Sequence, residues 1–520
     1  MLGRDQVTRL HDLNGDDEAD FYECVTNGYA TSQGGHDYVI GLESDAQGRF
    51  YTSSGNQGML RLSGRQDVEV LATGLRNPNG TGFSPDDRFF TSSLQEGNWT
   101  PASAIVQVEL GKDEGAHFGY GGPKGGQSPK PPLLYLPRGE DNSSAGQVFL
   151  GDAAWPALRG AGNLVHLSFG AGAALMVTRQ QVGGQWQGAA QRIAADFLSG
   201  SQQGRFNPKD GHLYVTGIAG WQTYTTDDGC FQRLRHVGGS PVLVAHEVRD
   251  NGVWLRFDSA LDGRSAGRAA GHFAQTWNYR YAAAYGSPEF SVAHPGVVGH
   301  DVLEVRSAHV LGDGRELFIE IPQLTVAHQV HLNLALVPGR NTDLFLTAHA
   351  LAEPFKDFPG YAAIPKQAHA HAAPAANTNG ASTMRPVRWE TEVCGNPPQE
   401  LTLETATGLQ FAQKELRVKA GRGVALTVVN PDSMPHNWVL TKPDTLETVA
   451  LLSAKMAAEP DAYSRHYVPE SPDILCHTRL LDAGQRTTVY FNAPKTPGRY
   501  PYLCTFPGHA QIMRGVLIVE

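Results

Sequence analysis

Charge is scarce in this chain: Asp, Glu, Lys and Arg together make up 18% of 520 residues, and the balance is acidic, with a net charge of -10. Without a basic stripe, a nucleic-acid partner has no electrostatic support. No apolar run approaches the roughly 18 residues that a membrane-spanning helix needs. The first twenty residues, "MLGRDQVTRLHDLNGDDEAD", lack the apolar core of a secretory signal and read as if they began inside a repeat. Cysteine is scarcer still, with only Cys24, Cys230, Cys394, Cys476 and Cys504. Five are too few for a disulfide framework, and an odd count leaves one thiol for other chemistry; Cys504 is the candidate. The other four admit three pairings, of which Cys24 with Cys230 and Cys394 with Cys476 would each stay inside one domain.

What the chain does have is turn-formers, 59 glycines and 32 prolines. They favour short strands over long surface helices, so the fold class expected is all-β, and the length calls for several cores. From about residue 34 to 238 a unit recurs: a short apolar stretch, a Gly or Pro-Asp turn, and a second apolar stretch. It is seen in "YVIGLESDAQGRFYTSSGNQGMLRLS", "GLRNPNGTGFSPDDRFFTSSL", "NSSAGQVFLG" with "GNLVHLSFG", and "QQGRFNPKDGHLYVTGIAGWQ". Such repetition reads as blades of a β-propeller, either partial or of a six-bladed type, with a sandwich carrying insertions as the alternative. Residues 241–352 change character: "GVWLRFDSALDGRSA" and "HDVLEVRSAHVLGDGRELFIEI" resemble bacterial immunoglobulin-like β-sandwiches. The stretch "KQAHAHAAPAANTNGASTMRP" has no apolar period and marks a flexible linker, where His369 and His371 are solvated or catch a metal ion. Beyond it, alternating strands separated by Gly, Asp and Pro turns predict a Greek-key sandwich. The expected domains are therefore 1–238, 241–352, a linker at 353–390, and 391–520.

The last domain carries the clearest chemistry. In "CTFPGHAQIM", Cys504, His509 and Met513 place a thiolate at a strand end, an imidazole across a Pro-Gly turn and a thioether just beyond. "NPDSMPHNWVL" adds His436 ahead of another strand. Two imidazoles, one thiolate and a weak thioether make the donor set of a type 1 (blue) copper centre, which suits both copper oxidation states. These stretches, with "CHTRLLDAGQ", resemble azurins and auracyanins of the plastocyanin/azurin family. The resemblance implies a cupredoxin fold with His436, Cys504 and His509 as equatorial copper ligands and Met513 as the axial one. It makes the carbonyl of Pro435, where azurins have glycine, a weak fifth contact. It gives the thiolate sulfur the backbone N–H groups of Asn437 and Phe506, and ties the Asn437 side chain to Thr505. The ring edge of His509, with the apolar rim of Met434, Pro435, Phe506, Pro507 and Ala510 suited to brief docking, is then the expected electron port. A binuclear copper centre needs two cysteines in this loop, and a multicopper oxidase needs a second cupredoxin unit; both are excluded.

The repeats resemble quinoprotein glucose and sorbosone dehydrogenases, which bind pyrroloquinoline quinone and calcium. That resemblance casts His36 as a general base and Arg76 and Asn77 as quinone contacts. It departs from the pattern around Phe169 and Gln203, where the cations that would hold the cofactor's carboxylates are missing and only Arg205 is near. "DLNGDDEADFYE" spaces Asp12, Asn14, Asp16, Glu18, Asp20 and Glu23 as in a calcium loop, or as a solvated acidic hairpin; Asp17 stands where such a loop wants glycine. Two functions stay open: a copper electron carrier tethered to a docking propeller, and a fused sugar dehydrogenase that feeds electrons to the copper. Either implies a redox partner such as a cytochrome or dehydrogenase and a periplasmic or other extracytoplasmic location, and the second also implies a sugar.

Overall fold

The computed structural model of the chain describes all residues except 31–38, 220–224, 226, 367–397, 407–408, 457–461, 463–464 and the single positions 127, 142, 153, 161, 433 and 483. Nearly all of its regular structure is strand, as expected. Two compact units are formed. The first comprises Met1–Ala274, Asn278–Pro288 and Leu303–Lys366; the second comprises Gln275–Trp277, Glu289–Val302 and Gln367–Glu520.

In the first unit the strands of each repeat recognised in the sequence pair antiparallel with one another, in four separate sheets. Phe50–Ser54, Gly58–Leu62 and Val68–Thr73 run side by side, as do Thr81–Phe83, Phe89–Leu94 and Ser103–Glu109. Ser144–Phe149, Leu164–Ser168, Ala173–Val182 and Gln185–Ala194 form a third group, and Gly200–Phe206, Leu213–Ile218 and Gly229–Leu234 a fourth. Consecutive sheets bury apolar side chains against each other. Tyr51, Met59 and Leu71 share a cluster with Phe90 and Val106, and Val165 and Met176 share one with Leu213 and Val215. A fifth sheet orders Leu243–Arg249, Gly252–Phe257, Glu316–Glu320 and Ser307–Leu311. The hairpin Arg340–Ala348 with Ala327–Val337 does not join that sheet. It extends the third one, Ala189 and Ala190 pairing with Leu346 and Phe345.

The second unit holds a two-sheet sandwich. One sheet orders Gln410–Phe411, Gln399–Ala406, Gly423–Val429 and Arg486–Asn492; the other orders Glu415–Val418, Arg514–Val519, Gly498–Leu503, Val439–Thr441 and Ile474–His477. Strand alternation decides which side chains enter. In Glu415–Val418, Leu416 and Val418 are buried and Glu415 and Arg417 exposed. Leu403, Leu426 and Val428 from one sheet meet Trp438, Leu440, Tyr502 and Leu517 from the other, and the Tyr502 hydroxyl donates to the Gln413 carbonyl at 2.6 Å. One helix, Leu446–Met456, interrupts the β pattern. It was not foreseen, although Leu446, Val449 and Ala450 have the i, i+3, i+4 spacing of an inward helix face.

Of the pairings left open by the sequence, the one joining Cys24 to Cys230 is not formed: both are free thiols. Cys24 lies in Phe21–Thr26, which pairs with Val7–His11, and Cys230 lies opposite Gly217 in another sheet. Cys476 is free as well, in register with Leu440, while Cys394 lies outside the described residues.

One buried histidine is expected to make the first unit sensitive to acid. His246 is 3% exposed, and its Nδ1 lies 2.6 Å from the Thr178 hydroxyl. Burial disfavours its charged form and depresses its pKa to about 3. A folded value below the unfolded 6.5 means that the stabilising contribution is present above pH 6.5 and is lost as pH falls toward 3. Chemical unfolding of this unit is expected to show roughly 3 kcal/mol less stability at pH 4.5 than at pH 7 from this residue alone. His246→Leu removes that step; an equal pH dependence in the variant would assign the acid sensitivity elsewhere.

Candidate metal centre

Two loops at one end of the sandwich carry the centre. The first runs from Asn430 to His436 and is shaped by the buried Asn430 side chain. Its amide donates to the carbonyls of Met434 and Leu481 at 2.7 and 2.9 Å, and its oxygen accepts from the Thr405 hydroxyl at 2.6 Å and the Asp432 N–H at 3.1 Å. A reciprocal backbone pair with Leu481, at 3.0 and 2.8 Å, fixes His436 at the loop's end. The second loop follows the strand Gly498–Leu503. Its N–H groups at His509 and Met513 donate to the carbonyls of Phe506 and His509, and Cys504 N–H donates to the Met513 carbonyl at 3.0 Å. These turns bring Met513 back beside Cys504 in the sequence's own order. Gly508 supplies the left-handed step, with φ +84°.

Asn437 joins the loops. Its amide nitrogen donates to the Thr505 hydroxyl at 2.8 Å and its oxygen accepts the Thr505 N–H at 2.7 Å, the tie expected from the sequence. It also donates to the His466 carbonyl at 2.7 Å. Severing such buried bonds leaves donors without partners, at about 1–3 kcal/mol for each group stranded.

Held this way, three donor atoms converge. Cys504 Sγ lies 3.7 Å from His436 Nδ1 and 3.6 Å from His509 Nδ1, and the two nitrogens are 3.2 Å apart. A triangle of that size has its centre about 2 Å from each corner, the length of a bond from a first-row metal to nitrogen or sulfur. All three side chains are fully buried, and so is Met513. Asp432, also buried, sets its Oδ2 3.0 Å from His436 Nε2. A proton on Nε2 shared with that carboxylate leaves Nδ1 free to bind a metal. Burial alone would lower the His436 pKa, but Asp432 and the Cys504 sulfur outweigh it and raise the value to about 9. The pocket therefore attracts positive charge, and its soft and borderline donors fit copper.

One expectation is corrected. His509 has no exposed surface, and Phe506 and Ala510 of its expected rim are only 2% and 6% exposed. The cover comes in part from the second unit's other segments, since the His300 ring lies 5.7 Å from the His509 ring, edge-on. Nothing in the sequence of 399–520 signals this, because His300 lies about two hundred residues upstream of the loop.

The residues singled out in the first unit are placed differently. His36 lies outside the described residues. Arg76 is 5% exposed; its guanidinium donates to the Glu96 carbonyl at 2.7 Å and lies over the Tyr285 ring. Asn77 donates to Gln95. Both tie their loop to the residues that follow the strand Phe89–Leu94. The acidic loop near the start is an exposed hairpin turn in which Asp12 accepts the N–H groups of Gly15 and Asp17, while Glu23 turns to Arg9 and His11.

Comparison with known proteins follows the same division. Residues 399–520 match the copper binding proteins of the plastocyanin/azurin family. Auracyanin-A of Chloroflexus aurantiacus is 34% identical over 114 residues, which cover 22% of this chain and 68% of the relative. Azurin-1 of Alcaligenes xylosoxydans xylosoxydans is 31% identical over 118 residues, covering 21% and 88%. Among solved structures, a putative oxidoreductase (glucose dehydrogenase) of Thermus thermophilus is 19% identical, covers 44% of this chain and 74% of its own, and has a TM-score of 0.32. The family indicates a type 1 copper and electron transfer. Through residues 399–520, this chain belongs to the plastocyanin/azurin family of copper-binding proteins.

Proposed function

We propose that the chain is an extracytoplasmic one-electron carrier, working for instance in the periplasm, in which the copper domain is tethered to a propeller at 1–238 that recognises or docks a redox partner protein. The observation that carries this reading is the convergence of His436, Cys504 and His509, with Met513 behind them, in a pocket closed to solvent. Copper bound there would supply the one-electron chemistry. His436, Cys504, His509 and Met513 would hold it, with the Pro435 carbonyl as a weak further contact. The protein's contribution is rigidity: Asn430 and Asn437 fix both loops, so the donors keep their places whichever oxidation state they serve. Burial excludes water and substrate, so the centre moves electrons and makes no bonds. No helix among the described residues is long and apolar enough to cross a membrane. The alternative is a sugar dehydrogenase using pyrroloquinoline quinone and calcium, with Arg76 and Asn77 as quinone contacts; in this structure these two bond to Glu96 and Gln95.

Adding Cu(II) is expected to give an intense blue colour that Cys504→Ser abolishes. A colourless wild-type complex with an ordinary tetragonal copper resonance would overturn the reading. Asp432 provides a finer test. Its carboxylate beside His436 stabilises the more positive oxidation state, so Asp432→Asn is expected to keep the blue band and raise the reduction potential by on the order of 60 mV, a tenfold change in a one-electron equilibrium. A potential that stays or falls would show that the carboxylate has no electrostatic hold on the site.

A further inference from the structure

Two segments of the second unit, Gln275–Trp277 and Glu289–Val302, lie outside the family match, yet they are built around the ligand loop. His300 is their centre. Its ring stands edge-on to His509 and, at 6.2 Å and 82°, to Phe506. It also stacks on Trp277, with ring centroids 4.1 Å apart and planes 12° from parallel. Both ring nitrogens are held: Nε2 lies 2.5 Å from the Glu289 carboxylate and Nδ1 lies 3.2 Å from Gln275 Oε1. His300 is 3% exposed and Trp277 2%.

The fit leaves no slack. A Cβ added at Gly508 would fall 1.8 Å from Gln275 Oε1 and 2.9 Å from His300 Cβ, and one at Gly299 would fall 2.9 Å from Pro507. The Tyr467 hydroxyl donates to the Val298 carbonyl, while its ring stands 5.3 Å from Phe506. A docked protein therefore cannot touch the His509 ring edge while these residues are in place.

We propose that His300 is the specificity-determining residue for electron transfer. With Trp277 it takes the position in which a partner would meet the ligand imidazole, so electrons pass through this stack and direct collision at His509 is shut out. The inference rests on the copper reading above. In each event one electron leaves a one-electron redox protein and reduces Cu(II) to Cu(I), or makes the reverse passage. No bond forms or breaks, and the two rings are a tunnelling medium that is never itself oxidised. Tunnelling falls steeply with distance, so a covered ligand discriminates strongly against chance encounters.

Electron self-exchange between copies measures this directly, because it requires two ligand edges to approach. The full chain is loaded with one copper isotope as Cu(II) and with another as Cu(I), mixed, and frozen at intervals for EPR. Exchange is expected to be slow in the wild type and at least tenfold faster in His300→Gly, with the blue band unchanged; His300→Phe, which keeps a ring in place, stays slow. Wild-type exchange in a blue His300→Gly protein overturns the proposal. If that variant does not fold, the wild type decides: pulsed EPR of the Cu(II)-loaded chain in heavy water is expected to show the His509 ring N–H resisting exchange for hours, and prompt exchange overturns the proposal. Absence of the blue band in the wild type would instead refute the copper reading.

Discussion

The amide of Asn437 joins two stretches of chain that are 68 residues apart, and the centre depends on that pair of hydrogen bonds. A strand end can present a cysteine and a loop can present a histidine, but neither fixes the gap between them. Asn437 does so because its side chain offers a donor and an acceptor at once, and Thr505 answers with a hydroxyl and a backbone N–H. His436 is the next residue back along the chain, so the bond that positions Asn437 positions a ligand as well. Asn430 repeats the device at the other end of the first loop, drawing Met434 and Leu481 together. Rigidity here comes from a few amides in a dry place, where each lost partner is expensive.

The sandwich was legible in the sequence because strand periodicity and turn residues are local signals, and Leu416 and Val418 face inward as their alternation requires. The ligand loop was legible because its four donors are chemically unusual in combination. What was not legible depends on distance along the chain. Ala189 pairs with Leu346 across more than 150 residues, and nothing near either position announces it. His300 resembles any other buried histidine until Trp277 and Phe506 are placed around it. The exposed port was expected by analogy with small single-domain relatives, and analogy carries no information about residues those relatives lack. The helix Leu446–Met456 is a different failure: its pattern was present in the letters but was overridden by the all-β composition around it.

In the first unit the residues named from a resemblance also have structural partners. Arg76 and Asn77 sit in a recognisable loop, yet one braces the Glu96 carbonyl and the other Gln95. The acidic turn that could have been read as a cation loop uses Asp12 to cap its own backbone, and Asp17 takes the left-handed conformation in place of a glycine.

The described part of the sandwich holds a second thiol in a different chemical setting. Cys476 is free, and burial pushes its pKa up to about 12. A thiol that stays protonated is a poor ligand for soft ions. Within the described part of the sandwich, Cys504 is thus the thiol set between two imidazoles, while Cys476 sits on a strand as a protonated side chain.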